Sequence, residues 1–226
     1  MSRINWTLKE LVARHTLEFY HAQLTGGGDG GDISILDAEA GLVYILPRPN
    51  ENLPIPNWGV IKPEHVVVMD LEGKIQEDNG ILATVEAPMH LCIYKARPDV
   101  KAIVHSHGQW SSVFAICGRD IPSCLAEQIL YLGGDTLCAE YGLVGSVDLG
   151  NKIVKALGGK RYTALLRNHG AVACGKSMDE ALMRGILLEK GAQTTLFGML
   201  LGKARALDPN RILDPSLIDE NGNPLI

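Results

Sequence analysis

Two histidines one residue apart close the apolar run Ala102-Ile103-Val104-His105-Ser106-His107-Gly108, and His169 closes a second, Leu165-Leu166-Arg167-Asn168-His169-Gly170, 62 residues after His107. Each run reads as a short buried strand. Positions i and i+2 of a strand face the same side, so His105 and His107 can grip one ion together. A third imidazole from another strand end completes a three-histidine set and leaves a fourth coordination position open, as a catalytic Zn²⁺ requires. Ring nitrogens suit Zn²⁺ first, with Mn²⁺, Fe²⁺ or Co²⁺ also admissible. The competing reading is three hydrogen-bonded histidines at strand ends with no metal role. Under the metal reading, the fold must bring two strand ends together.

The rest of the chain is compatible with that demand. Its 226 residues suffice for one substantial core, and no Pro/Ser-rich linker divides them, so a single domain over 1–226 is expected. Apolar residues make up 46% and charged residues 21%, the balance of an ordinary globular protein. A net charge of −5 gives no general attraction toward nucleic acid or an anionic membrane. No segment has the apolar length of a membrane span, and the N-terminal residues lack the apolar stretch of a signal peptide. The five cysteines are scattered and never in Cys-x-x-Cys spacing, which points to a reducing, cytoplasmic setting.

Apolar spacing predicts a helix from about Leu8 to Leu24, stopped by Gly26-Gly27-Gly28. Strands follow at Ile33–Leu36, Leu42–Leu46 and His65–Met69, with a short one around Ile75. Five prolines between Pro47 and Pro63 keep that stretch extended. Glu86 to Arg97 reads as a helix halted by Pro98, and Lys101 to His105 as the strand that delivers the histidine pair. Further helices are expected at Gln109–Cys117, from Asp148 as cap to Leu157, and from the capping box at Ser177 to about Ala204. Strands Thr163–Arg167 and Ala171–Cys174 hinge at Asn168-His169-Gly170, and the tail from Leu207 to 226 is extended. The irregular alternation implies an α/β three-layer sandwich, a mixed and largely antiparallel sheet with helices on both faces.

The histidines, Glu86-Ala87-Pro88-Met89-His90, Arg97-Pro98-Asp99, Asn168-His169-Gly170 and the capped helix after Gly175-Lys176-Ser177 occur in an order and spacing that resembles the class II aldolase/adducin family over residues 8–200. The resemblance implies that His105, His107 and His169 ligate zinc and that Glu86 is the acid/base residue. It also implies a divalent ion that stabilises an enediolate as a carbon–carbon bond breaks, and a homotetramer with its active site at a subunit boundary. The chemistry suits the residues independently, since a Lewis acid stabilises an enediolate most in the transition state and a neighbouring carboxylate can carry the proton. Glu86 also reads as a helix-start carboxylate favoured by the macrodipole, and His90, one turn later, as support or packing.

Three segments depart from the phosphate cradle of the family's sugar-phosphate aldolases: Gly31-Asp32, Arg48-Pro49 and Thr84-Val85. Asp32 repels phosphate and Val85 cannot donate to it, whereas Arg48 can fork onto a carboxylate. Glu127 stands near the place of a tyrosine proton donor, with Tyr131 and Tyr141 as weak substitutes. Asp32, Arg48, Thr84 and Glu127 are therefore the candidate substrate contacts. The leading expectation is a metal-dependent aldolase acting on a small hydroxy-carbonyl substrate that need not carry phosphate. The alternatives are a metal-dependent decarboxylase of a hydroxy or hydroxy-aromatic acid, and a metal-free, adducin-like binding module.

Overall fold

A computed structural model describes residues 4–77 and 79–208. The tail from Pro209 to Ile226 lies outside the described residues. Among the described residues a single sheet holds seven strands: β1 (Asp32–Asp37), β2 (Leu42–Ile45), β3 (Val67–Asp70), β4 (Ala102–Ser106), β5 (Leu137–Cys138), β6 (Thr163–Leu166) and β7 (Gly170–Gly175). Their spatial order is β3-β2-β1-β4-β7-β6-β5. Every neighbouring pair is antiparallel except β5 with β6. The mixed, largely antiparallel sheet expected from the irregular alternation of elements is present.

Strand alternation distributes the core between two helical layers. Ile103, Val43, Val172 and Cys174 pack on one side with α2 (Ala87–Ala96) and α5 (Val147–Leu157). Ala102, Val104, Tyr44 and Ala173 face the other side, with α1 (Trp6–His21) and the start of α6 (Met178–Leu200). A third cluster joins α3 (Gln109–Cys117), α4 (Ala126–Leu132) and the middle of α6 over β6 and β7, through Phe114, Leu132, Leu165 and Leu188. The period of two is thus read twice, once by each layer.

Boundaries moved where capping chemistry outweighs apolar pattern. The first helix stops at His21 rather than Leu24, and Gln23 takes φ +59 as the chain turns toward the glycines. The fifth helix is capped by Ser146, whose Oγ accepts from Leu149 N–H at 3.1 Å, and Asp148 sits in its first turn instead. A hydroxyl directly before the helix can reach the free N–H of the third helical residue, and Asp148, already inside, cannot. The last helix ends at Leu200, short of Ala204. Around Ile75 the chain makes only an isolated bridge to Met69 rather than a strand.

The two helices of one layer approach closely at Gly150 of α5. A Cβ there would lie 2.7 Å from Cys92 Sγ and 3.2 Å from Met89 Cα of α2. Gly150→Ala should therefore push the helices apart and lower stability by about 1–3 kcal/mol. Urea unfolding should show a lower midpoint with an unchanged m-value.

Candidate active site

His105 is the penultimate residue of β4, the strand hydrogen-bonded to β1 on one edge and β7 on the other, opposite Asp32 and Val172. It is completely buried, and its Nδ1 lies 3.0 Å from Ala171 O. That bond assigns the proton to Nδ1 and leaves Nε2 as a free lone pair. His107 follows the strand end on the same side, with its Nε2 3.2 Å from His105 Nε2. His169 occupies the hairpin between β6 and β7, where Leu166 pairs with Gly170 and Asn168 takes the left-handed φ of +59 that asparagine tolerates. The three rings are mutually edge-on, with centroids 4.9–5.0 Å apart. One ligand atom from each lies within 4.8 Å of the others.

Glycines make that convergence sterically available. A Cβ on Gly170 would stand 2.3 Å from Ser106 O and 3.1 Å from the His107 ring. On Gly30 it would meet His107 Nδ1 at 2.8 Å, and on Gly31, where φ is +70, it would meet His105 O at 2.4 Å. The glycine run that follows the first helix is the wall against which His105 and His107 pack.

A second group of residues approaches from α2. Glu86 immediately precedes the helix but makes no capping bond. It is only 4% exposed, and neither carboxylate oxygen has a well-formed hydrogen bond among the described residues. Beside it, Thr84 Oγ1 donates to Asp32 Oδ2 at 2.6 Å and accepts from the Glu86 N–H at 3.2 Å. One turn into the helix, His90 Nε2 comes within 2.8 Å of Asp32 Oδ1, off the alignment of a hydrogen bond, so the attraction is mainly coulombic. Its Nδ1 meets Ser34 Oγ at 2.7 Å, and that oxygen meets Tyr94 OH at 2.7 Å.

These contacts separate the titrations of two neighbouring carboxyls. Burial raises the pKa of Asp32, but His90, His105 and the Thr84 hydroxyl outweigh it and bring it down to about 2. Burial and then the charge of Asp32 push Glu86 up to about 7, and His90 and the Gly145 backbone offset only part of that. Two close carboxyls held so far apart in pKa are a functional-site signature. Burial also depresses the imidazoles, His105 to about 3 and His169 to about 4. The triad is neutral near pH 7 and presents lone pairs rather than protons.

Asp32, Arg48, Thr84, Val85, Glu86, His105, His107, His169 and Val144 line one cleft of about 210 Å³. Arg48 is exposed, with no side-chain ion pair among the described residues. Glu127 is not brought to this cleft: it begins α4 and pairs with Lys190 of α6 at 3.2 Å. Sequence reading passed over the contact of Ser34 with His90, the contact of Tyr94 with Ser34, and the place of Val144. The spacing of His90 and Tyr94, four residues apart on one helix face, was the available signal.

A three-layer α/β/α protein with a histidine triad at the ends of central strands, faced by a buried glutamate, is the class that fold and site define. The chain belongs to the class II aldolase and adducin family, whose N-terminal-domain model matches residues 10–196. It is 31% identical over 180 residues to a 5-deoxy-D-ribulose 1-phosphate aldolase of Bacillus thuringiensis serovar kurstaki, covering 80% of each chain. It is 31% identical over 170 residues to the L-fuculose phosphate aldolase of Escherichia coli, covering 75% of this chain and 74% of that one. A solved L-fuculose 1-phosphate aldolase superposes with a TM-score of 0.85 at 28% identity, over 94% of this chain and 96% of the other. No helix among the described residues is long and apolar enough to cross a membrane.

Raised above its ordinary value of 4.5, Glu86 opposes folding once the unfolded chain ionises it. The penalty is absent below pH 4.5, grows as pH rises toward 7 and is constant beyond. Chelator-treated Glu86→Gln should therefore be more stable than wild type at pH 8, by on the order of 2–3 kcal/mol. The gap should close at pH 4, as urea titrations at the two pH values would reveal.

Proposed function

We propose that the chain is a divalent-metal-dependent aldolase that cleaves a carbon–carbon bond of a small hydroxy-carbonyl compound. The observation that carries this reading is the juxtaposition, in one cleft, of three converged neutral imidazoles with a buried glutamate near its midpoint of titration at neutral pH. His105, His107 and His169 are the proposed ligands. All three donors are imidazole nitrogens, a set that suits Zn²⁺ and admits Mn²⁺, Fe²⁺ or Co²⁺. His169 Nδ1 is a buried polar atom with no hydrogen-bond partner among the described residues, consistent with a site built for a further group. A divalent cation held there would supply Lewis-acid stabilisation of the negative charge that develops as the carbon–carbon bond breaks.

Glu86 then acts as the acid/base residue. Its ionised carboxylate takes the hydroxyl proton of the carbon that leaves as aldehyde, and in the reverse direction its acid form returns it. Asp32 maintains the environment that makes both forms accessible, and His90 with Thr84 holds Asp32 ionised.

The relatives' names specify sugar phosphates, but the corresponding wall here supports a carboxylate. Asp32 is committed to His90 and Thr84, the Thr84 hydroxyl already donates to Asp32, and Val85 has no donor side chain. Arg48 lines the cleft with no ion-pair partner among the described residues, and its guanidinium matches a carboxylate through two parallel N–H bonds. The proposed assembly is a homotetramer with the cleft at a subunit boundary. Exposed Met183, Ile186, Phe197 and Leu200 on α6, with Tyr131 of α4, support an interface there. Sedimentation at micromolar concentration should give a tetramer, and a monomer would overturn this assignment.

The activity is tested on protein purified without a His-tag or chelator. It should hold about one divalent ion per chain, and His107→Ala should lose most of it. Glu86→Gln should keep the metal and the fold yet lose on the order of 10²–10⁴ in rate. Comparing kcat/KM for L-fuculose 1-phosphate, ribulose 5-phosphate and unphosphorylated hydroxy-keto acids addresses the substrate. A clear preference for a phosphate would overturn the carboxylate assignment, and carbon dioxide release without aldehyde would replace cleavage by decarboxylation.

A further inference from the structure

The three histidines are not fixed equally. His105 lies within a strand paired on both edges, and its ring is tied to Ala171 O. His169 lies in a tight hairpin closed by the pairing of Leu166 with Gly170. His107 is past the last residue of β4, beyond the sheet ladder. On its N-terminal side the chain is tied by the His107 N–H donating to Leu24 O at 2.8 Å. On its C-terminal side comes Gly108 and then, at once, α3.

The first turn of α3 is held from outside its own segment. Gly108, at the cap position, offers no side chain to the free N–H groups. Glu189, from the middle of α6, takes that role: Oε2 accepts from Trp110 N–H at 2.8 Å and Oε1 from Ser111 N–H at 3.0 Å. A Cβ at position 108 would stand 2.3 Å from Glu189 Cδ, so the missing side chain is what lets the carboxylate in. A serine or aspartate at 108 would cap the helix locally, as is common. The arrangement instead ties the exit of the histidine loop to a helix that packs across β4 and β7.

We infer that Glu189 is a positioning residue for His107, its carboxylate clamping the start of α3 and so fixing where the chain leaves that proposed metal ligand. The inference rests on the assignment of His105, His107 and His169 as ligands. Glu189 touches neither metal nor substrate in this account. It acts through two backbone N–H groups three and four residues beyond His107. A carboxylate suits the position because it accepts both bonds at once and its charge complements the positive end of the helix.

The test is titration of chelator-treated, full-length protein with Co²⁺, followed by the visible absorption of the bound ion, which reports both affinity and coordination geometry. Wild type, Glu189→Ala, Glu189→Gln and Ser177→Ala are compared. Ser177→Ala removes a cap of the same kind, Ser177 Oγ to Glu180 N–H at 3.2 Å, at the end of β7 away from the cleft. Glu189→Ala is expected to bind Co²⁺ 10–100-fold more weakly with an altered spectrum, the usual effect of losing an outer support of a ligand. Glu189→Gln, which keeps one acceptor oxygen, should fall between, and it decides the matter if the alanine variant does not fold. Ser177→Ala should bind as wild type. Wild-type affinity and spectrum in both folded Glu189 variants, or equal weakening in Ser177→Ala, would overturn the inference. No Co²⁺ binding by wild type would overturn the ligand assignment itself, an outcome distinct from the other two.

Discussion

β4 is hydrogen-bonded along both edges, to β1 through Asp32–Ile35 and to β7 through Ala171–Gly175, and the geometry of the cleft descends from those two ladders. The first ladder sets Asp32 opposite His105. The second sets the β6–β7 hairpin, and with it His169, at the same end of the sheet. A slip of one residue in either register would turn His105 or Asp32 to the α1 side, because strand side chains alternate. The apolar residues on both faces oppose any such slip: Ile103 belongs to the α2/α5 core, and Ala102 and Val104 to the opposite one. The burial that holds the sheet together also fixes the relative placement of these groups.

The contrast between Asp32 and Glu86 depends on that placement. Both carboxyls are almost wholly buried. Asp32 has a histidine, a hydroxyl and the edge of the triad around it, and Glu86 has burial and the charge of Asp32 against it. An acid with good partners ionises readily, and the next one must ionise against it. His90 therefore acts on Glu86 in two opposed ways: directly it offsets part of the rise, and indirectly, by keeping Asp32 ionised, it sustains it.

The strand that carries His105, the helix after Glu86 and the mixed sheet could be read from the sequence because each has a periodic apolar pattern or a terminal signal. The histidine triad was legible because a period of two puts His105 and His107 together. The position of Glu127 was inferred from order along the chain, and order does not say that within one chain α4 turns the carboxylate toward Lys190. Asp32 read as a substrate contact that repels phosphate. The structure gives it His90, Thr84 and 2% exposure, facts that depend on α2 crossing β1 and leave no mark in local pattern. Glu189 was invisible for the same reason, being separated from its partners Trp110 and Ser111 by 79 and 78 residues.

The glycine segment 26–31 lets the imidazoles approach, but it also gives up more backbone freedom on folding than any other composition would. Trp58 helps secure it twice, its backbone N–H reaching Gly28 O at 3.1 Å and its indole N–H reaching Gly31 O at 3.1 Å. Local opening in a protein begins where ordering entropy is large and anchoring bonds are few. The wall of the cleft thus leans on a buried indole, whereas the strands behind it are held by their own ladders. Exchange of small molecules with solvent need not disturb the strands that hold His105 and His169.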